Sequence, residues 1–571
     1  MTSRLRSLLI VAAALLLGLG SWFALQGPWS WPGSLGTDRP PTAAAFIPRQ
    51  SPLALSLLVS PGRLAKLPQI DLANFEEGLL DSAHLDYKRD VQPWLGDEVT
   101  LAVTTLDLDR DPSNGQQPGY LLALAAKNPT RAREFLQIYW QQRAADGTDL
   151  HYQQVSGVKL IYGHGADGDR PTVATALVGD RYILFANTPK VIRDAVNNVQ
   201  VPELNLASAT DYQRSLKLLT RSRFGVAYAN LDALGDWLEQ QGLAVSRVSQ
   251  PVSTESVSTE SVSTQSRYNT LALGLGVARR GLLADTLLLS NPALASGTEP
   301  STALDPDQGT DPNQATDPEQ ILRYLPSDSI AVASSAHLDQ LWQKTQPLLA
   351  AYPALNTLVD RSLDQLQHQW QIDITQTIFP WVTGEYAIAQ LNRPKGVDWI
   401  FVVDRTDPKT AAGIENLDTL ARSQGYSIGS LTLADRSVTA WTSLKPEGDQ
   451  ASAASAIRAL VRGVHAQVEH YELFATSLDA MEQVLQTLQG QSLVQSRRFQ
   501  QALAPLPTDH QGYLYVNWRD NKVVLEQKLP LLQVLELTAQ PLVRTLKTLS
   551  VTGSEPEAGV QRAAIALQLG R

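Results

Sequence analysis

The feature that most constrains this chain is that its second half repeats its first. FIPRQS at Phe46–Ser51 recurs as YLPSDS at Tyr324–Ser329, and PWLGDEV at Pro93–Val99 recurs as PWVTGEY at Pro380–Tyr386. GYLLALAAKNP, ending at Pro129, matches DWIFVVDRTDP, ending at Pro408, and YILFA at Tyr182–Ala186 matches YELFA at Tyr471–Ala475. Gly225, Tyr228 and Asn230 match Gly512, Tyr515 and Asn517. Thr270-Leu271 with Gly281 matches Thr548-Leu549 with Gly559. These six matches keep the same order at offsets between 278 and 289 residues. Short chance matches do not stay collinear over half a chain, so one folding unit is expected twice, at 46–292 and 321–571. At 571 residues the chain is in any case too long for a single core.

Within each copy the pattern alternates. Val99–Leu106 and Tyr120–Ala126 are β-rich runs joined by a polar turn, a hairpin signature. Pro129 then opens a helix to about Ala144, since proline is tolerated in a first helical turn. Strand runs are expected at Val155–Tyr162 and Thr172–Phe185. A second helix follows, capped by Asn187 or Thr188, and Tyr212–Leu219 reads as helical. Phe224–Asn230 and Leu271–Leu289 return to strand. Short turns between neighbouring strands imply an antiparallel sheet with helices packed on one face. The expected fold class is α+β: two tandem copies of such a sheet, preceded by one transmembrane helix.

That helix comes from the N-terminus. Arg4 and Arg6 precede an uninterrupted apolar run, Leu8–Leu25, of 18 residues. As a helix it would be about 27 Å long, against a hydrocarbon core of about 30 Å. Trp22, Phe23, Trp29 and Trp31 lie at its far end, where aromatic rings favour the headgroup layer. A cleaved signal peptide is the competing reading, with Gly18 and Gly20 before Ser21 as its small residues. The retained anchor is favoured because the apolar run continues past that point and no A-x-A is present. Both readings export the chain, with the N-terminus cytoplasmic and the bulk periplasmic or lumenal. Residues 1–27 are thus the anchor and 28–45 a tether, with structured sequence from Phe46. Two low-complexity stretches complete the plan. VSTES, VSTES, VSTQS lies in a loop at 240–268, and a DPxQxT repeat lies in a linker at 293–320.

Searching for chemistry yields mostly exclusions. A net charge of −10 without a basic stripe argues against nucleic acid as a partner. With no cysteine there is no disulfide, thiolate metal site or cysteine nucleophile. No G-x-S-x-G or Walker sequence occurs, and the one S-x-x-K, Ser156–Lys159, falls in a strand run rather than at a helix start. None of the eight histidines forms HxH or HExxH, and His465 and His470 are off a common face. Asp107, Asp109 and Asp111 alternate in a turn and are the weak metal candidates. Pro112 and Pro118 stand where an EF-hand needs Gly and Glu, so a solvated turn is the better reading. Gly274, Gly276 and Gly281 have the wrong spacing and context for a dinucleotide loop. The acids most worth following are Glu98 and Glu385, one turn after Pro93-Trp94 and Pro380-Trp381. They could be a paired acid, but carboxylates bonding donors at a strand start are the simpler expectation. No cofactor is expected.

The FIPRQSPLALSLLVSP opening, the PWLGDEV motif and the N-terminal anchor together resemble the bacterial family known as domain of unknown function 3352. The resemblance covers nearly all of residues 46–571 and implies a cyanobacterial-type envelope or thylakoid setting. It implies no activity, cofactor or catalytic residue. The functional expectation is a membrane-anchored extracytoplasmic interaction, scaffold or assembly-assisting protein. Its partners would be the membrane, through the N-terminal helix, and other membrane or envelope proteins. The alternatives are a carboxylate-based hydrolase with its site between the copies, and a lipid or hydrophobe carrier.

Overall fold

The computed structural model describes residues 36–60, 87–111, 117–164, 171–240, 268–278, 280–290, 320–351, 363, 367, 372–393, 396–447, 456–508, 510–519, 546–554, 557 and 559–570. The expected anchor at 1–27, the first part of the tether, nearly all of the loop at 240–268 and the linker at 293–319 lie outside them. Among the described residues no helix is long and apolar enough to cross a membrane.

The fold is α+β, built on a large antiparallel sheet counted at twenty strands, where two separate sheets were expected. Two compact units divide the chain. The first takes Met1–Gly297, Leu531–Leu546 and Pro556–Arg571, and the second takes Thr298–Pro530 and Lys547–Glu555.

The first unit contains β1 (Leu53–Leu57), β2 (Leu95–Thr105), β3 (Gly119–Ala126), β4 (Asp149–Val155), β5 (Val158–His164), β6 (Pro171–Val178), β7 (Tyr182–Ala186), β8 (Gly225–Asn230), β9 (Tyr268–Ala278) and β10 (Gly281–Ser290). Its helices are α1 (Pro129–Ala145), α2 (Pro189–Gln200), α3 (Thr210–Leu218) and α4 (Leu231–Gln240). The strands run β4-β5-β6-β7-β3-β2-β1-β8-β9-β10 across the sheet.

In the second unit are β11 (Ala331–Ala336), β12 (Glu385–Arg393), β13 (Gly396–Asp404), β14 (Ser427–Leu433), β15 (Arg436–Glu447), β16 (Ala456–Val468), β17 (Tyr471–Ala475), β18 (Tyr513–Asn517) and β19 (Leu546–Gly553). Its helices are α5 (Leu338–Ala351), α6 (Ile374–Thr377), α7 (Pro408–Ser423), α8 (Leu478–Thr487) and α9 (Arg497–Leu503). The order is β14-β15-β16-β17-β13-β12-β11-β18-β19, which is the first order with ten added to each strand.

The last strand, β20 (Val560–Leu569), is grouped with the first unit, where it pairs with β10 from Gly281–Gln568 to Leu289–Val560. The chain end therefore runs antiparallel along the edge of β10. Gly281 makes this possible, because a Cβ there would lie 1.8 Å from the Leu567 carbonyl oxygen.

Local chemistry sets the boundaries. Asn128 caps α1 by accepting from Arg131 N at 3.1 Å, with Pro129 in the first turn. At the start of α2, Thr188 is the cap residue but makes no side-chain cap bond. Asn187 instead ties β3, accepting from Tyr120 N at 2.9 Å and donating to Pro118 O at 2.8 Å. The expected run Thr172–Phe185 is two strands. Gly179 and Asp180 have φ of 57° and 51° and turn the chain back. Leu271–Leu289 likewise breaks before Gly281.

Structured sequence begins ahead of Phe46. Thr42–Phe46 is a 3-10 turn with Ala43 and Ala44 buried, so the end of the expected tether belongs to the core.

Helices cover both faces of the sheet rather than one. Ile192, Ala195 and Val196 of α2 pack with Leu121, Ala123 and Leu184. Phe135 and Leu136 of α1 pack with Leu124 and Ile183. Ile183 and Leu184 are strand neighbours and point to opposite faces. The second unit does the same, with Val402 in the cluster of α8 and Val403 in that of α7. Continuous apolar runs such as GYLLALAA, rather than strict alternation, are what such strands need.

Candidate functional site

The acid common to both halves sits in a hydroxyl clasp. Glu98 lies where the β2 register is interrupted between Leu95 and Val99. Its Oε1 accepts from Ala43 N at 2.7 Å; its Oε2 accepts from Thr42 Oγ1 at 2.5 Å and from the Tyr182 hydroxyl at 3.0 Å. The Thr42 and Tyr182 hydroxyl oxygens are also close to each other, so the two hydroxyl protons are shared among these oxygens and the carboxylate. A carboxylate thereby satisfies amide and hydroxyl donors at the start of a 3-10 turn and fixes that turn to the sheet. The Tyr182 ring meets Phe46 edge-on at 5.1 Å.

In the second unit Glu385 opens β12, buried, and its Oε2 accepts from the Tyr471 hydroxyl at 3.0 Å. Tyr471 packs against Tyr324 at 4.9 Å, and the Tyr324 hydroxyl donates to Glu469 at 2.8 Å. Burial, joined by the Glu98 charge, pushes the Tyr182 phenol up from 10.0 to about 12. Burial and Glu385 push Tyr471 further up, and burial raises Tyr386 to about 12. The fold thus holds Tyr182 and Tyr471 as neutral donors to Glu98 and Glu385.

A pH dependence follows. The Tyr182 contribution is complete below its unfolded value of 10.0 and is lost as pH rises through about 12. Tyr182→Phe should cost about 1.5–3 kcal/mol at neutral pH, the range for a bond to a charged acceptor. Its stability should then decline less steeply than wild type between pH 10 and about 12. Urea midpoints across that range check both points, and parallel declines would remove Tyr182 from the alkaline transition.

The other recurrent residues also hold the fold. Trp94 and Trp381 each donate from Nε1 to a carbonyl four residues earlier, Asp90 O at 2.8 Å and Thr377 O at 2.6 Å. Pro380 lies in the 3-10 turn Phe379–Trp381, and Pro93 directly precedes Trp94 in a turn before β2. Tyr228 meets Tyr212 edge-on at 5.2 Å, and Tyr515 meets Phe499 edge-on at 5.1 Å. Asn230 accepts from Ala233 N at 3.1 Å at the start of α4, and Asn517 is buried at the end of β18.

The remaining sequence candidates fall in turns or strands. Asp107 Oδ1 accepts from Gln117 N at 3.2 Å, and Asp109 Oδ1 accepts from Asp111 N at 3.1 Å, so turn amides engage these carboxylates. Among the described residues no three acids or histidines converge as metal ligands. Ser156, with φ 49°, is in the β4–β5 turn rather than a strand and donates to Gln200 at 3.2 Å. Gly274 and Gly276 are inside β9, away from any strand-to-helix turn.

One cluster escaped sequence reasoning. In the second unit His465 is buried with Nδ1 2.6 Å from Glu472 Oε1 and Nε2 3.2 Å from Asp418 Oδ1. Arg405 donates to Glu472 Oε2 at 2.7 Å, and Trp441 Nε1 donates to Asp418 at 2.7 Å. Phe474 stacks on the imidazole at 5.3 Å. The available signal was Glu472 in YELFA, where the first half has Ile183. An acid in an otherwise apolar buried strand needs a partner.

The family profile described as "Protein of unknown function (DUF3352)" matches residues 8–569. The chain belongs to this DUF3352 family. No curated protein matches the DUF3352 chain. Among solved structures, crystal forms I and III of TP0453 align at 9% and 10% identity with a TM-score of 0.25 each. They cover 44% of the DUF3352 chain and 78% and 80% of their own. At that TM-score nothing carries over to this chain.

Proposed function

We propose that this DUF3352 chain is a membrane-anchored interaction or assembly-assisting protein of an extracytoplasmic space, carrying one α+β unit duplicated in tandem. The supporting observation is the use both units make of their shared residues. Glu98 and Glu385 accept from Tyr182 and Tyr471, the paired tryptophans bond equivalent carbonyls, and the strand orders coincide. What recurs is the machinery of folding, as expected for a duplicated binding scaffold whose surfaces are free to diverge. The Arg4/Arg6-flanked run Leu8–Leu25 supports a single-pass anchor in an inner or thylakoid membrane, with the bulk periplasmic or lumenal.

The alternatives have less support. A carboxylate hydrolase would need Glu98 free to exchange protons, and it is engaged by three donors. Cavities of about 10 and 100 Å³ in the first unit fall below the roughly 300 Å³ where small-molecule pockets begin.

Carbonate extraction and protease protection of the full chain in its native membrane test the anchor. The expected result is a pelleted protein whose bulk is cleaved only when the exported side is opened. A mature N-terminus at Ser21, or release into the carbonate supernatant, would remove it. Proximity labelling from the C-terminus should then mark membrane or envelope proteins reproducibly. Labelling no different from that of an unrelated anchored control would overturn the interaction reading.

A further inference from the structure

The cavity of about 100 Å³ in the first unit is lined by two arginines from one short segment, Arg221 and Arg223, between α3 and β8. This segment is held on two sides. Thr37 N donates to Arg223 O at 2.8 Å, Arg223 N donates back to Thr37 O at 3.2 Å, and Phe224 N donates to Leu275 O of β9 at 2.8 Å. The missing side chains of Gly274 and Gly276 give it room. A Cβ on Gly276 would lie 3.1 Å from Ser222 O, and one on Gly274 would lie 3.4 Å from Arg223 Cδ. The two glycines therefore let an arginine-bearing loop lie flat on the sheet and leave a hollow beneath it.

One guanidinium donor in this hollow, on Arg223, lacks an acceptor. Arg223 is 4% exposed; its Nη1 donates to Leu219 O, but its Nε is buried with no acceptor in the protein. A buried guanidinium N–H without an acceptor is costly, so an acceptor beside it would be stabilising. Arg221 Nε is 3.6 Å from Asp285 Oδ2, an ion pair beyond hydrogen-bonding distance. Burial pushes the Asp285 carboxyl up, against the pull of Arg221 and Arg562. Arg562 donates to Leu218 O at 3.1 Å and adds a third positive charge nearby. Asp38 acts on Arg223 as a second carboxylate, so three guanidinium groups face two carboxylates and one net positive charge remains; the volume of the hollow suits a group of a few heavy atoms. Guanidinium forks match the oxygens of phosphates and carboxylates.

We infer that this hollow is a binding site for a small oxyanion, with phosphate as the reference ligand, gripped by Arg221 and Arg223 and opposed by Asp285. Phosphate could arrive free or as a lipid headgroup, and the chemistry of the grip is the same for both.

The full chain in detergent is titrated with inorganic phosphate at constant ionic strength, with chloride as the control anion, by calorimetry. Arg221→Gln is the informative variant, since its side chain is 42% exposed and its loss should leave the fold intact. Saturable phosphate binding, weakened about tenfold by Arg221→Gln, supports the site, tenfold being about one charge-assisted hydrogen bond. Asp285→Asn should tighten binding by removing the opposing charge. A second arm measures co-sedimentation with phosphatidylcholine vesicles with and without phosphatidic acid. Capture that needs phosphatidic acid and Arg221 assigns the phosphate to a headgroup, and phosphate binding without capture assigns it to a free anion. Absence of saturable binding in both arms, equal affinity in Arg221→Gln, or weaker binding in Asp285→Asn would each overturn the proposal.

Discussion

Replacing Trp94 by alanine should destabilise the protein by about 3–5 kcal/mol, and the same change at Trp381 should cost less than half as much. The positions are equivalent in sequence but not in packing. Trp94 is 1% exposed, with its ring 5.0 Å from Phe135 and buried with Leu95, Leu124 and Ile183. Removing it leaves a cavity walled by a helix and a sheet that cannot readily close. Trp381 is only half-buried. Its ring lies over Gly413 of α7, so close that a Cβ on that glycine would come within 2.3 Å. Because Trp381 is already partly exposed, its truncation should leave a smaller enclosed void than at Trp94. Urea unfolding of the two variants, read as midpoint shifts at unchanged m-value, makes the comparison. Equal losses would mean that the paired tryptophans carry equal weight despite their exposure. A loss under about 1 kcal/mol at Trp94 would deny its place in the core.

The sequence made some of this legible and concealed the rest for identifiable reasons. Pro129 marked a helix start because proline chemistry is local. The recurrence of PW and of the tyrosines in YILFA and YELFA pointed to residues that hold each unit together, because large buried side chains change least readily. The pairing of β20 with β10 was hidden, since strand partners distant in sequence leave no local trace. Helices on both faces were missed because GYLLALAA carries no alternation from which to read one face. The Thr42–Phe46 turn was hidden inside a Pro-rich stretch that composition alone assigns to a tether. At the clasp, Glu98 and Glu385 could be picked out, but Thr42 and Glu469 could not, because register and turn geometry decide which donors reach a carboxylate.

The largest electrostatic effect is expected at Glu472, where the two halves of the chain have solved the same packing problem differently. His465 pairs across the sheet with Phe474, as Thr175 pairs with Phe185, and Glu472 stands where the first half has Ile183. The first unit fills these positions with an isoleucine and with a threonine that accepts from Trp140 Nε1 at 2.8 Å. The second fills them with a carboxylate and an imidazole, and adds Arg405 and Asp418 as partners. Glu472→Ile alone should cost about 3 kcal/mol, the low end for breaking a buried ion pair, because Arg405 is 29% exposed and recovers some solvation. His465→Thr alone strands Glu472 and Asp418 without the ring between them and should also destabilise. The double variant installs the first unit's own pair of residues, and Arg405 keeps its bond to Gln467 at 2.8 Å. Replacing a buried charged group together with its partner is far less costly than removing one member. The double variant should therefore lose less than the two singles summed, by at least about 1 kcal/mol of coupling. A double-mutant cycle by urea denaturation measures that difference directly. Simple additivity would show that Glu472 and His465 act independently, and that the short contact between them contributes nothing to the fold.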